Sequence, residues 1–206
     1  MYIPKYFKIN NKDEVRDFLK KNSFGILITS VADRPWGTHI PMELEKDTAG
    51  TEVLFGHISK GNPQRKHFKD KTEALAIFNG PHAYVSSSWY NHENVPTWNY
   101  TAVHVYGKLV VLDETELMDS LKKLVDKHEA GSESPVKMEE MPEQTLRQMK
   151  GIVGFKILIR EIHAAFKLSQ NRDDEDHQNI IEKLTDRGDS SSAETAAYMQ
   201  KTKKQQ

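Results

Sequence analysis

From Phe24 to Leu112 the chain is a series of short apolar, β-branched and aromatic runs, divided from one another by Asp, Asn, Gly and Pro. Runs of this kind with turn residues between them read as half-buried strands, and several in succession predict an antiparallel β structure closed by hairpins. Phe24 to Ser30 is a first strand, a turn is expected around Asp33-Arg34-Pro35, and Trp36 to Leu44 returns as the second arm of the hairpin. A polar stretch, Glu45 to Gly50, precedes a strand over Glu52 to His57, and Asn62-Pro63 opens a short helix with Asn as cap and Pro at the first position. Two further strands, Glu73 to Phe78 and His82 to Ser88, are expected to be joined by Asn79-Gly80-Pro81, and Trp98 to Leu112 is one long strand. Few helices interrupt this run, which favours an antiparallel β-barrel with helical additions over a wound α/β sheet.

The additions lie at both ends and in one insertion. Asn11 caps a first helix carrying Val15, Phe18 and Leu19. Asp113 and Glu116 form a capping-box-like start for a second, with Leu117, Leu121, Leu124, Val125 and His128 as its stripe to about Ala130. A shorter helix near Pro142 to Met149 leads to strands over Ile152 to Ile159 and Ile162 to Leu168. A last helix from Asp173, with Ile180, Ile181 and Leu184, stops at Gly188 and frays into a Ser-rich and Lys-rich tail. The chain therefore reads as a barrel domain over 1–172, with a helical insertion at about 113–150, and a C-terminal helical extension and tail over 173–206.

Composition narrows the chemistry. No cysteine is present, which excludes disulfides, thiolate metal sites and a cysteine nucleophile and points to a reducing cytoplasm. No stretch supplies the ~20 apolar residues of a membrane helix, and MYIPKYFKIN lacks the pattern of a signal peptide, so a soluble protein is expected. With 29 Lys+Arg against 30 Asp+Glu, any nucleic-acid contact must come from a local basic patch; Lys201, Lys203 and Lys204 are the candidates. Nine histidines invite a metal or haem reading, but no His-x-x-x-His helix pattern supports one and no metal site is expected. Ser86 to Ser88 lack the Gly-x-Ser-x-Gly setting of a hydrolase.

Between Gly56 and Tyr106 lie residues that strand formation alone does not require. Ser59, Lys60, Gly61 and the Asn62-Pro63 helix start offer a hydroxyl, an ammonium and backbone amides, which are phosphate-binding parts. Trp89, Tyr90, Trp98 and Tyr100 are suited to wall a planar ligand; aromatic core packing explains the same residues equally well.

The segments Met1-Tyr2-Ile3-Pro4-Lys5-Tyr6-Phe7, Gly56-His57, Gly61-Asn62-Pro63-Gln64, Ser86-Ser87-Ser88-Trp89-Tyr90, Val95-Pro96-Thr97-Trp98-Asn99-Tyr100, Ala102 to Gly107 and Lys167 to Arg172 occur in this order. With them the chain resembles the PaiB family of bacterial proteins, described as FMN-binding negative transcriptional regulators of sporulation and degradative-enzyme synthesis. The resemblance implies a flavin-binding split barrel, a homodimer and FMN held between subunits. It places Lys60, Asn62 and Gln64 near the phosphate, with His57 and Ser59 in the same segment, and Thr38 and His39 beside the flavin. Ser86, Ser88 and Trp89 would form a further wall, while Trp98, Asn99, Lys167, Ser169, Gln170 and Arg172 would come from the partner. The expected function is a flavin-linked regulator that touches DNA, if at all, through a local basic patch. The alternatives are a flavin-dependent oxidoreductase, with His39, His57 or Tyr100 as proton partner, and a haem-binding split barrel.

Overall fold

The structure is a computed structural model, and it describes residues 1–68 and 72–203. Six strands, β1 (Phe24–Val31), β2 (Arg34–Lys46), β3 (Glu52–Ser59), β4 (Thr72–Val85), β5 (Thr97–Val111) and β6 (Ile152–Lys167), close into a barrel in the order β1-β2-β3-β6-β5-β4. Five helices accompany them among the described residues: α1 (Lys12–Lys21), α2 (Glu114–Glu129), the single turn α3 (Glu143–Leu146), α4 (Asp174–Asp186) and α5 (Ser190–Lys203). The expected class, mainly β and antiparallel with helical additions, holds. The chain forms two compact units, one of residues 19–77 and 105–162 and one of residues 1–18, 78–104 and 163–206.

The first unit is built on the β1–β2 hairpin. Its turn is Ala32–Asp33, both with positive φ (48° and 60°), a two-residue turn whose twist suits the flanking strands. The turn expected at Asp33-Arg34-Pro35 therefore lies earlier, because Arg34 and Pro35 already pair with Val31 and Ser30. Proline's fixed φ is compatible with the first residues of a strand, so it marked the neighbourhood of the turn and not its place. Leu27, Met42, Leu54, Ala76, Phe155 and Ile157 are buried in this unit. Gly56 sits opposite Phe155 in the β3–β6 ladder, and a Cβ there would lie 2.7 Å from the ring's Cζ, so the glycine makes room for the phenyl group.

Helix α2 covers the other face of β3 and β6. Asp113 caps it, accepting from the Glu116 amide at 2.8 Å, and Leu117 packs with Val53, Phe55, Leu112 and Leu158. Three lysine–glutamate pairs help hold it down: Lys156 to Glu116 at 2.5 Å, Lys123 to Glu45 at 2.7 Å and Lys127 to Glu43 at 2.6 Å. Glu43 is buried, and its Oε1 accepts no hydrogen bond in the structure. Lys127→Ala is expected to lower stability by about 2 kcal/mol, less than for a fully buried pair because the lysine is partly exposed. Adding Glu43→Gln should recover part of that loss in urea unfolding; an additive double variant would mean that the pair contributes nothing.

In the second unit the Asn11 carboxamide caps α1, accepting from the amides of Asp13 at 3.0 Å and Glu14 at 3.2 Å. Phe166 packs against Phe18 at 5.2 Å and edge-on against Tyr198 of α5 at 5.8 Å, joining both helices to β6. Strand β4 is continuous where two strands joined by Asn79-Gly80-Pro81 were expected. Gly80 is there for close approach, since a Cβ would meet Thr101 Oγ1 at 2.3 Å and Phe18 at 2.7 Å. The two strands expected over 152–168 are likewise one, β6, with Arg160 and Glu161 as exposed strand residues and Arg160 paired to Glu73.

Helix α4 is capped by Asp173, and Gly188 with φ +80° follows its end. The frayed tail expected after Gly188 is instead α5, of which residues to Lys203 are described; Lys204 lies outside the described residues. Asp189 caps it through the Ser192 amide at 2.8 Å. Its buried stripe, Ser192, Thr195, Ala196, Met199 and Thr202, has helical spacing but small and hydroxyl side chains. The Ser191 hydroxyl accepts from the His82 amide at 3.2 Å and donates to the His82 carbonyl at 2.7 Å, satisfying both backbone groups of that β4 residue.

Candidate functional site

The segment that follows β3 is fixed by its own polar groups. Asn62 caps the 3-10 turn Pro63–His67, accepting from the Gln64 amide at 2.9 Å. Its Nδ2 donates to Thr38 Oγ1 at 2.9 Å, and Thr38 in turn donates to Gln64 Oε1 at 2.6 Å. Gln64 is fully buried, and its Nε2 donates to Thr29 Oγ1 at 3.0 Å and toward the carbonyls of Trp36 and Leu27 at 3.3 and 3.4 Å. Three of the expected site residues thus form one network that ties the segment to the β1–β2 hairpin.

Lys60 is brought to the same place but carries no such obligation. Its amide donates to the Gly151 carbonyl at 2.8 Å and its carbonyl accepts from Arg65 Nε, while its ammonium is exposed and pairs with no carboxylate among the described residues. The amides of Gly61, Asn62, Gln64 and Arg65 all donate within the segment, to Ser59 Oγ, the Ser59 carbonyl, Asn62 Oδ1 and the Asn62 carbonyl. The backbone cradle read from the sequence is therefore occupied by the chain itself. An anion here would be met by side chains, and Lys60 is a cation of the segment that pairs with no carboxylate among the described residues.

Lys60 also lines a cavity of about 680 Å³ together with α2, α3 and the start of β6. Its walls include Leu117, Met118, Leu146 and Ile152, and its charged residues include Lys150, Asp113, Glu114 and Arg147, the last paired with Glu143 at 2.9 Å. Sequence reasoning missed Arg147 and Lys150, because this distant stretch is brought beside the β3 end only by long-range pairing, the Ser59–Ile152 register and the Lys60–Gly151 hydrogen bond. His39, in register with Ile26, is exposed.

His57 is half-buried opposite Gly154, and burial holds its imidazole below the usual histidine range. The unfolded chain takes up that proton at about pH 6.5 while the folded chain resists it. Neutral His57 therefore contributes stability that is present above about pH 6.5 and is lost as the pH falls toward its folded value. His57→Asn should flatten this acid limb when urea midpoints at pH 7.5 and pH 5.5 are compared, leaving the part due to His104, which burial shifts the same way. An unchanged acid limb would show that His57 takes no part in it.

The remaining expected residues lie in the other unit. Asn99 is fully buried, accepting from Ser169 Oγ at 3.0 Å and placing Nδ2 3.4 Å from Met199 Sδ. Ser169 has φ +59°, and Gln170 closes the turn by accepting from the Leu168 amide at 2.8 Å and donating to the Phe166 carbonyl. These polar residues after β6 are engaged in holding a tight turn. Lys167 donates to Thr97 Oγ1 and, at 2.7 Å, to the Trp98 carbonyl; burial and the nearby Arg172 push its ammonium below the usual lysine range. Arg172 stacks over Tyr90 and Arg187 over Trp89, each at 4.9 Å. Ser86 and Ser88 share a 2.9 Å hydrogen bond, and Trp98, 54% exposed, meets Tyr84 edge-on at 5.8 Å. The His82 ring lies tilted against Trp98 as well, at 6.1 Å.

A family model described as "Putative FMN-binding domain" matches residues 1–161. Over 207 residues the chain is 44% identical to the Protease synthase and sporulation protein PAI 2 of Bacillus subtilis (strain 168), covering 100% of each chain. The chain belongs to the PaiB family. Its fold is that of the flavin-binding split barrels. Flavocytochrome Anf3 from Azotobacter vinelandii superposes with a TM-score of 0.64 at 15% identity, covering 86% of this chain and 78% of that one. The FAD and heme binding protein from Mycobacterium smegmatis gives 0.62 at 14% identity, with 83% and 78% covered. For a PaiB-family chain the cofactor is FMN, and Lys60 offers an exposed ammonium with no carboxylate partner among the described residues.

Proposed function

We propose that this PaiB-family protein is an FMN-binding negative regulator, acting as a homodimer in the control of sporulation and degradative-enzyme synthesis. The observation that carries the reading is full-length identity of 44% to a relative named for protease synthesis and sporulation. Bound FMN supplies a ring whose redox state changes its charge. The chain's part is to hold the phosphate with Lys60 and to keep the segment bearing Lys60 fixed through Thr38, Asn62 and Gln64. A charge change at such a fixed site shifts an equilibrium between two conformations only by its differential interaction with them.

Dimerisation is supported by the outer face of β2, β1 and β4. The register puts Phe24, Ile26, Ile28, Leu75 and Ile77 on one side of the sheet, with Phe24 65% exposed. A second copy offers the same apolar face, as a two-fold interface requires. Sedimentation should show a dimer at micromolar concentration, and Ile28→Glu should give a folded monomer; a parent monomer that still binds FMN tightly would end the dimer reading.

DNA contact, on this proposal, is local, electrostatic and centred on the basic end of α5. Because α5 packs on β4 and β6 through Ser191 and Tyr198, charge reversal tests this better than deletion. Lys201→Glu, which alters an exposed residue, should weaken specific DNA binding and reduce its salt slope by about one. Specific binding at physiological salt supports the regulator, whereas steady nicotinamide-dependent turnover without DNA binding would make the chain an oxidoreductase.

A further inference from the structure

We propose that His92, Asp173 and Asp176 form a site for one divalent transition-metal ion, of which Zn²⁺ is the representative. The three side chains each bring a ligand atom within 4.8 Å of the others. Asp176 is fully buried; its Oδ1 accepts from the Asn91 amide at 2.9 Å, and its Oδ2 is buried with no hydrogen bond. That oxygen faces His92 Nδ1 at 3.3 Å. A buried carboxylate oxygen without a donor is unfavourable, so it marks a place where a cation is wanted.

The arrangement has the features of a prepared ligand set. Asp173 Oδ1 accepts from the Asp176 amide at 2.8 Å, so each carboxylate has one oxygen held by a backbone amide and one left over. Such second contacts orient metal ligands before the ion arrives. With zinc–ligand bonds of about 2.0–2.1 Å, neighbouring tetrahedral ligands are roughly 3.3 Å apart, the separation already present between His92 and Asp176. One imidazole and two carboxylates suit Zn²⁺, Co²⁺ or Mn²⁺ and leave a fourth position for water. Asp174 and Glu175 add negative charge in the same turn of α4. Metal on Nδ1 moves the ring proton to Nε2. The exposed Asn94 amide, 3.1 Å from Nε2, then turns its oxygen to accept that proton and gives up its bond from the Val95 amide. No short-range motif announces the site because the imidazole and the carboxylates come from segments far apart in the chain.

The test uses full-length protein without an affinity tag, treated with chelator and dialysed, then titrated with Co²⁺ and separately with Zn²⁺. One equivalent of Co²⁺ should bind with visible absorption bands, Zn²⁺ should displace it, and either ion should raise the unfolding midpoint. His92→Ala, at an exposed side chain, and Asp176→Asn, which keeps an acceptor for Asn91, should each weaken binding at least about tenfold. His128→Ala, on α2, should leave it unchanged. Absence of saturable binding of both ions at millimolar concentration overturns the proposal, as does binding that survives both His92→Ala and Asp176→Asn.

Discussion

Gly107→Ala is expected to lower the stability of the protein by about 3 kcal/mol, the upper part of the usual range for forcing extra volume into a packed interior. A Cβ at this position would lie 2.3 Å from the Leu158 carbonyl oxygen, 3.0 Å from the Leu158 carbonyl carbon and 2.6 Å from Ile157 Cγ2. Two of these three atoms are backbone and cannot turn aside. Nor can β6 move as a whole at little cost, because Leu158 and Ile157 are in register with Val53 and Leu54 of β3, and Leu158 packs in the cluster under α2. Displacing it would loosen the ladder and the helix contact together. Gly56→Ala provides the comparison, since its obstacles are side-chain atoms of Phe155 and Met42 that can yield, and it should cost less. Urea midpoints of both variants decide the matter: a Gly107→Ala midpoint equal to the parent's would mean that β5 and β6 are not so close at this point.

Lys60→Ala is expected to weaken FMN roughly tenfold to a hundredfold while leaving riboflavin affinity almost unchanged, as loss of one charge-assisted hydrogen bond would. The structure sharpens the reason. Backbone amides from Lys60 to Arg65, Pro63 excepted, all donate to partners within the chain, so no backbone donor of the segment can take the ammonium's place. Titration of both flavins by fluorescence separates the outcomes. Equal losses for FMN and riboflavin would show that Lys60 maintains the shape of the site, and the phosphate would then be sought at Lys150 or Arg147, which line the same cavity.

Features set by near neighbours were legible in the sequence. Asn11, Asn62 and Asp113 cap as read, and Gly188 follows the end of α4 with positive φ, since caps depend on residues two to four positions away. Features set by distant contacts were misread. Gly80 looked like a turn residue because nothing local reveals that Phe18 and Thr101 lie against it. Helix α5 was hidden for a different reason: its buried stripe is Ser, Thr and Ala with Met199 as its one large apolar residue, a pattern that hydropathy does not mark. Its hydroxyls can be buried because Thr195 and Thr202 donate to the carbonyls of Ser191 and Tyr198. The Asp189 cap and the recurrence of small residues at helical spacing were the available signals. In the candidate site the residue types near β3 were recognisable, but no sequence pattern states which of them are engaged with one another and which remain free.

The Thr38–Asn62–Gln64 network has a kinetic consequence. A loop that must be ordered by its ligand makes association slow and variable, whereas this segment is already ordered when the hairpin folds. Capture of a phosphate-bearing ligand should then be governed by diffusional encounter, and substitutions around Lys60 should alter residence time far more than the rate of arrival. Loosening the network, as by Gln64→Ala, should have the opposite signature: the arrival rate falls, because the segment must find its place each time a ligand comes.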